Sequence, residues 1–170
     1  NGSGKSTLFR IITGEKYDSG QLTVKKNLDI VCLDQIPEYP SDYTSLDVLN
    51  TAFDEVLQIK ETMETMESRL SGSEDSSPDR VLQEYGILQE QFEGMGGYDI
   101  QTKREKICTG LKVSPEMQER KFNSLSGGEK TRVVLGMILL KENGVMLLDE
   151  PTNHLDMESL EWLEGFLSEY

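Results

Sequence analysis

The stretch Val145-Met146-Leu147-Leu148-Asp149-Glu150-Pro151-Thr152-Asn153-His154-Leu155-Asp156 decides how this chain is read. Four consecutive apolar residues have the length and character of a buried strand, and the two carboxylates that follow would stand at its end. Adjacent acids at a strand end are ordinary surface in most proteins. This pair is set apart by the Pro-Thr-Asn-His-Leu-Asp string that follows at once. A buried strand that delivers Asp149 to Mg²⁺ leaves Glu150 free to polarise an attacking water. Further on, Leu160, Leu163, Phe166 and Leu167 recur at helical spacing, which predicts a closing amphipathic helix with these residues inward.

At the other end, Asn1-Gly2-Ser3-Gly4-Lys5-Ser6-Thr7 matches the last part of G-x-x-x-x-G-K-[ST], without its first glycine and one following residue. The glycines let backbone N–H groups close around phosphate oxygens. A helix starting near Lys5 turns its positive end toward them, Lys5 reaches the β and γ phosphates, and Ser6 offers a hydroxyl to Mg²⁺. Between these ends lies Leu125-Ser126-Gly127-Gly128-Glu129, opening a third element. Ser126 and Gly128 can supply a hydroxyl and an unobstructed N–H at a helix N-terminus, a second anion site in the same chain; alone, the stretch would be a mere helix cap.

The texture around the motifs is α/β at the ends and helical in the middle. Ser6 to Ile12 reads as helix, Gly14 and Asp18-Ser19-Gly20 as breaks, and Gln21 to Val24 and Leu28 to Leu33 as strands. After Pro37 and Pro40, Leu46, Leu49, Phe53, Val56, Met63 and Leu70 share one helical face; Leu82, Tyr85, Leu88, Phe92 and Met95 share another. The polar run from Ser71 to Asp79 joins them, so the two read as a helical hairpin in which Met63 and Met66 fill the seam. A further helix is expected over Asp99 to Gly110, and Pro115 starts a short connector.

With 170 residues the chain can bury one sizeable core, and no run is long and apolar enough to span a membrane. Cys32 and Cys108 have no metal-like spacing and read as small buried hydrophobes, which suits a reducing, cytoplasmic setting. A net charge of −14 argues against a surface given over to nucleic acid; only Lys25 with Lys26, and Lys103, Arg104 and Lys106, form basic patches. The chain opens inside one motif and stops inside a helical pattern, so it is expected to be a piece of a longer protein.

With all three motifs in order, the chain resembles an ATP-binding cassette (ABC) ATPase, and more narrowly the first nucleotide-binding domain of an ABC-F protein. The resemblance implies an α/β P-loop NTPase core, here incomplete, with an inserted helical subdomain. Its Walker A falls on Asn1 to Thr7, its Q-loop on Gln35, its signature on Leu125 to Glu129, its Walker B on Val145 to Asp149, and its D-loop on Leu155-Asp156. Catalysis is thereby assigned to Glu150, Lys5 and Gln35, and Mg²⁺ to Ser6, Gln35 and Asp149. ATP falls to Asn1, Gly2, Ser3, Gly4, Lys5, Ser6, Thr7, Ser126, Gly127, Gly128, Glu129 and Asp156, with the signature residues serving the ATP of a partner domain.

On this resemblance, residues 1–44 are the N-terminal part of the core, 45–122 a helical subdomain with its arm at about 50–95, and 123–170 the remaining core. A second nucleotide-binding domain of the same polypeptide is implied, and the ribosome near its tRNA exit site, with no direct membrane contact. The Thr152-to-Asp156 string and the hairpin resemble ABC-F rather than a transporter's energy-coupling subunit, which stands as the alternative, with a non-hydrolysing nucleotide clamp as the third reading. His154 lies in that string and does not match the family's switch histidine. The arm is acidic, with Glu61, Glu64, Glu67, Glu74, Asp75, Glu84, Glu90 and Glu93 against Lys60, Arg69 and Arg80, so it is expected to meet protein or solvent rather than RNA phosphates. Residues 1–170 alone are expected to be inactive.

Overall fold

The computed structural model describes residues 5–14, 19–25, 28, 30–33, 36–71, 78–141, 144–148 and 150–169, with Lys5, Ser6, Pro78 and Asp79 described by backbone alone. Two compact units emerge, Asn1–Ala52 with Lys106–Tyr170, and Phe53–Glu105.

In the first unit, β1 (Ile30–Leu33) and β2 (Val145–Leu148) pair in parallel, with Ile30 opposite Val145 and Leu33 opposite Leu148. Parallel neighbours need a long crossover, and here everything between Leu33 and Val145 supplies it. The register brings both carboxyl ends to one edge. Gln35 and Asp149, which follow those ends in sequence, lie outside the described residues. The strand expected from Leu28 starts later, because the Leu28 N–H is spent on the Lys25 carbonyl in a turn at 3.2 Å. The expected strand over Gln21 to Val24 does not form. Its residues are exposed, and among the described residues no strand runs beside it to satisfy its backbone.

Helix α1 (Lys5–Ile12) ends where the Thr13 hydroxyl bonds the carbonyls of Phe9 and Arg10 and Gly14 takes a φ of 110°. Helix α2 (Ser45–Asn50) opens with a reciprocal cap: the Thr44 hydroxyl accepts from the Asp47 N–H at 3.1 Å, and the Asp47 carboxylate accepts from the Thr44 N–H at 2.8 Å. It buries Val48 and Leu49 completely against the rest of its unit.

The centre of the first unit comes from the end of α5 (Ile100–Gly110), from Lys106 onward, with α6 (Pro115–Glu119) and α7 (Gly127–Leu140). Every residue of α7 from Val133 to Leu140 is buried, as a helix that is apolar all round must be. Gly136 lets α2 approach, since a Cβ there would sit 3.1 Å from Leu49 Cδ2. The last helix, α8 (Met157–Glu169), buries Leu163, while Leu160 and Phe166 are half-buried and Leu167, expected inward, is exposed. A Cβ on Gly110 would overlap the Trp162 indole, so the glycine is what allows the ring to lie on α5.

The second unit holds α3 (Asp54–Ser71) and α4 (Pro78–Gly94) as an antiparallel pair. Val56, Met63 and Phe92 form its buried centre, with Ile59, Tyr85, Leu88 and Ile100 packed on it. The Tyr85 hydroxyl donates to Glu67 at 2.6 Å. The continuous helix expected from Leu46 onward is broken: a 3-10 turn spans Thr51–Phe53, where the Thr51 hydroxyl bonds the Val48 carbonyl at 2.7 Å, a back-bond that bends helices. The buried stripe of α4 also shifts, with Val81 inside and Leu82 and Met95 exposed. Residues 72–77 of the expected connecting loop lie outside the described residues.

Candidate nucleotide site

Of the phosphate-loop residues, Asn1, Gly2, Ser3 and Gly4 lie outside the described residues, as do the side chains of Lys5 and Ser6. What is described is the helix that leaves the loop: α1 begins at Lys5, and Thr7 stands exposed in its first turn. The backbone of Lys5 and Ser6 is therefore at the N-terminal, positive end of a helix, the setting a phosphate needs.

The second anion-binding end is described in full. Ser126 caps α7, its hydroxyl accepting the Glu129 N–H at 3.4 Å, while the Glu129 carboxylate accepts the Ser126 N–H at 2.8 Å. Arg120 Nη1 donates to the same carboxylate at 2.7 Å and neutralises it. These partners hold Glu129 far below the usual carboxylate range, at about 2: the Ser126 backbone N–H first, then its side chain and Arg120. The N–H groups of Gly127 and Gly128, in the first turn, have no acceptor within the helix. A Cβ on Gly127 would meet nothing within 4 Å, so the end of α7 is open there. Beside Gly128 lies His154, 3.6 Å from where a Cβ would be, which places the post-strand string against the helix end.

Glu150 follows β2 with a φ of 48°, a left-handed conformation uncommon for any residue that carries a Cβ. Two consecutive turns then carry the chain to α8. The Asn153 N–H bonds the Glu150 carbonyl at 3.2 Å and the Leu155 N–H bonds the Thr152 carbonyl at 3.1 Å. Asn153 Nδ2 donates to Glu150 Oε2 at 2.6 Å, fixing one carboxylate oxygen and leaving Oε1 able to face water. Asp156 caps α8, accepting the Ser159 N–H at 2.9 Å, and pairs with Lys112 at 3.1 Å. Both contacts lower its pKa, the Ser159 N–H most.

The structure thus brings Gly128 together with His154, Glu150 with Asn153, and Asp156 with Lys112. Sequence reasoning had no role for Arg120, Asn153 or Lys112. Arg120 meets Glu129 across a 3-10 turn and Lys112 meets the start of a distant helix, pairings that no local spacing encodes; Asn153, three residues after Glu150, is the one a turn reading could have found. A cleft of about 500 Å³ opens in the second unit, lined in part by Lys60, Tyr85, Tyr98 and Arg104, and contains none of the nucleotide-site residues. Among the described residues no group of three His, Cys, Asp or Glu could hold a metal ion, and no helix is long and apolar enough to cross a membrane.

Comparison with known proteins gives the same direction. Residues 1–153 match the family model described as ABC transporter. Over 171 aligned residues the chain is 36% identical to the ABC transporter ATP-binding protein YfmM of Bacillus subtilis, covering 100% of this chain and 33% of that protein. It is 39% identical to ABC transporter F family member 5 of Arabidopsis thaliana, covering 98% of this chain and 25% of the relative. It is 34% identical to the energy-dependent translational throttle protein EttA of Escherichia coli K12, covering 100% and 30%. The chain therefore spans a quarter to a third of the length of these relatives.

Proposed function

Because this chain belongs to the ATP-binding cassette family, in its ABC-F branch, we propose that the complete protein hydrolyses ATP and couples that cycle to the ribosome. The observation that carries the hydrolytic half is Glu150, placed at the carboxyl end of β2 with one oxygen fixed by Asn153. In this reading Glu150 polarises a water and takes up its proton as the oxygen attacks the γ-phosphorus in line with the leaving group. Lys5 and the backbone of Asn1 to Thr7 hold the phosphates. The signature end, Ser126 to Glu129, closes on ATP bound by a second cassette of the same polypeptide, with Gly127 and Gly128 offering N–H groups to the γ-phosphate and Asp156 at the same junction. Most of the rate gain then comes from positioning and charge stabilisation.

The proposed Mg²⁺ donors, Ser6, Gln35 and Asp149, are a hydroxyl, an amide oxygen and a carboxylate, an all-oxygen set that suits this hard cation. Mg²⁺ held by these residues would offset the negative charge of the phosphates.

The ribosomal half rests on relatives. A protein named as a translational throttle aligns along the whole chain, as do members of the F family. The arm of the first cassette is proposed at about residues 50–95, within a helical subdomain over 45–122 between core segments 1–44 and 123–170, acting near the tRNA exit site in the cytoplasm; the separate helical unit Phe53–Glu105 supports it. Translational regulation and ribosome protection from antibiotics both fit this role. A transporter's ATP-binding subunit is the second reading, favoured by the family description and by the name of the Bacillus relative.

Co-sedimentation of the complete protein separates the two. With a non-hydrolysable ATP analogue it is expected to pellet with ribosomes, and with ADP to stay in the supernatant. Nucleotide-independent behaviour, or recovery with membrane vesicles instead, would overturn the ribosomal assignment.

A further inference from the structure

The end of α5 is closed by a pair of bonds, Val113 N–H to the Cys108 carbonyl at 2.8 Å and Lys112 N–H to the Thr109 carbonyl at 3.2 Å. In this helix ending, the residue that turns left-handed is normally glycine. Here it is Lys112, at a φ of 54°. A side chain kept where glycine would be at ease is expected to serve something else.

Its amine reaches 3.1 Å from Asp156 Oδ2 and 2.7 Å from Glu158 Oε2, bridging the first turn of α8. Its carbonyl accepts from Arg132 Nη1 of α7 at 3.5 Å, the long limit for such a bond. One residue therefore ties the end of α5 and the middle of α7 to the start of α8. Both ion pairs are solvent-exposed, with Glu158 82% accessible, and exposed pairs contribute little to stability. What they can do is fix a position. The position concerned is the far end of the loop that begins at Glu150, seven residues in all, internally tied by the Asn153 and Leu155 turns.

We propose that Lys112 is a positioning residue for Glu150, anchoring the Glu150–Asp156 loop at Asp156 and Glu158 so that the carboxylate held by Asn153 keeps its aim. This rests on the reading of Glu150 as the general base. Lys112 acts on Glu150 only through Asp156 and Glu158, the partners of its amine. A loop loosened at Asp156 allows Glu150 to sample unproductive directions, which lowers turnover without weakening ATP binding.

The test is steady-state ATP hydrolysis by the complete protein carrying Lys112→Gly, Lys112→Arg or Glu150→Gln. Lys112→Gly removes the amine while relieving the left-handed backbone, so its melting temperature should equal or exceed the parent's. Its kcat should nonetheless fall roughly three- to thirtyfold with KM for ATP unchanged. Lys112→Arg, whose fork can still span two carboxylates, should restore most of the rate. A parental kcat in Lys112→Gly, a KM that rises as kcat falls, or an Arg variant as slow as the Gly variant would each overturn the proposal. Glu150→Gln separates the two levels. If it is slow while Lys112→Gly is parental, only the role of Lys112 falls; if Glu150→Gln itself turns over at the parental rate, the general-base reading and this proposal fall together.

Discussion

Ser126 and Glu129 cap each other across the first turn of α7, the carboxylate taking the Ser126 N–H at 2.8 Å and the hydroxyl taking the Glu129 N–H at 3.4 Å. The signature end is thus held by its own hydrogen bonds, and its acid is committed to Ser126 and Arg120. That commitment has a pH signature. Glu129 is depressed from 4.5 to about 2, so its stabilising contribution is complete above the unfolded value and is lost as pH falls through about 4.5 toward 2. Glu129→Gln should flatten the acid limb of a urea-midpoint-versus-pH curve in that window. Asp156 and Glu116 are lowered too and titrate in the same sense, so the difference between variant and parent is the quantity to read. An unchanged difference from pH 6 to pH 2.5 would mean that the cap does not hold in solution.

Gly110 offers a test by sign. In an open helix interior, replacing glycine by alanine stabilises by about 1 kcal/mol. Here the added methyl would overlap the Trp162 indole, and Gly110→Ala should instead destabilise by about 2 kcal/mol. Combining it with Trp162→Ala should remove that penalty, leaving Gly110→Ala neutral or favourable in the truncated background. Additive losses in a denaturant double-mutant cycle would show that Trp162 does not lie on α5.

Phe92 is the largest side chain in the buried centre of the second unit, against Val56 and Met63, with Tyr98 edge-on at 5.0 Å. Phe92→Ala should cost about 3 to 5 kcal/mol locally and accelerate amide exchange along α3 and α4. ATP affinity of the complete protein should not move, since this unit holds none of the proposed nucleotide residues. Weakened ATP binding would tie the hairpin to the catalytic core.

Strand β2 was legible to the residue because an apolar run between Gly144 and Asp149 allows little else. The hairpin was legible as a hairpin, but its phase was not: Tyr85, Leu88 and Phe92 fix a stripe that either Val81 or Leu82 could continue, and only the folded chain, with Val81 buried and Leu82 exposed, decides. The break at Thr51 depends on one hydroxyl back-bond, invisible in a hydrophobic pattern. Gln21 to Val24 carries strand propensity without a described partner, and a strand is a property of pairs. At the candidate nucleotide site the motifs supply the residues for which chemistry is proposed. The partners of these residues, Arg120 on Glu129 and Lys112 on Asp156, act through contacts that no spacing rule contains, whereas Asn153 lies within turn reach of Glu150.

Glu150 at the end of β2 is proposed as the general base of an ATPase. Single-turnover hydrolysis of bound ATP by the complete protein, parent against Glu150→Gln, tests it most directly. The isosteric amide keeps the Asn153 neighbourhood but cannot take a proton. With Glu150 as the base, ATP should bind as before while cleavage slows by roughly 10²- to 10⁴-fold. Cleavage at the parental rate would contradict it.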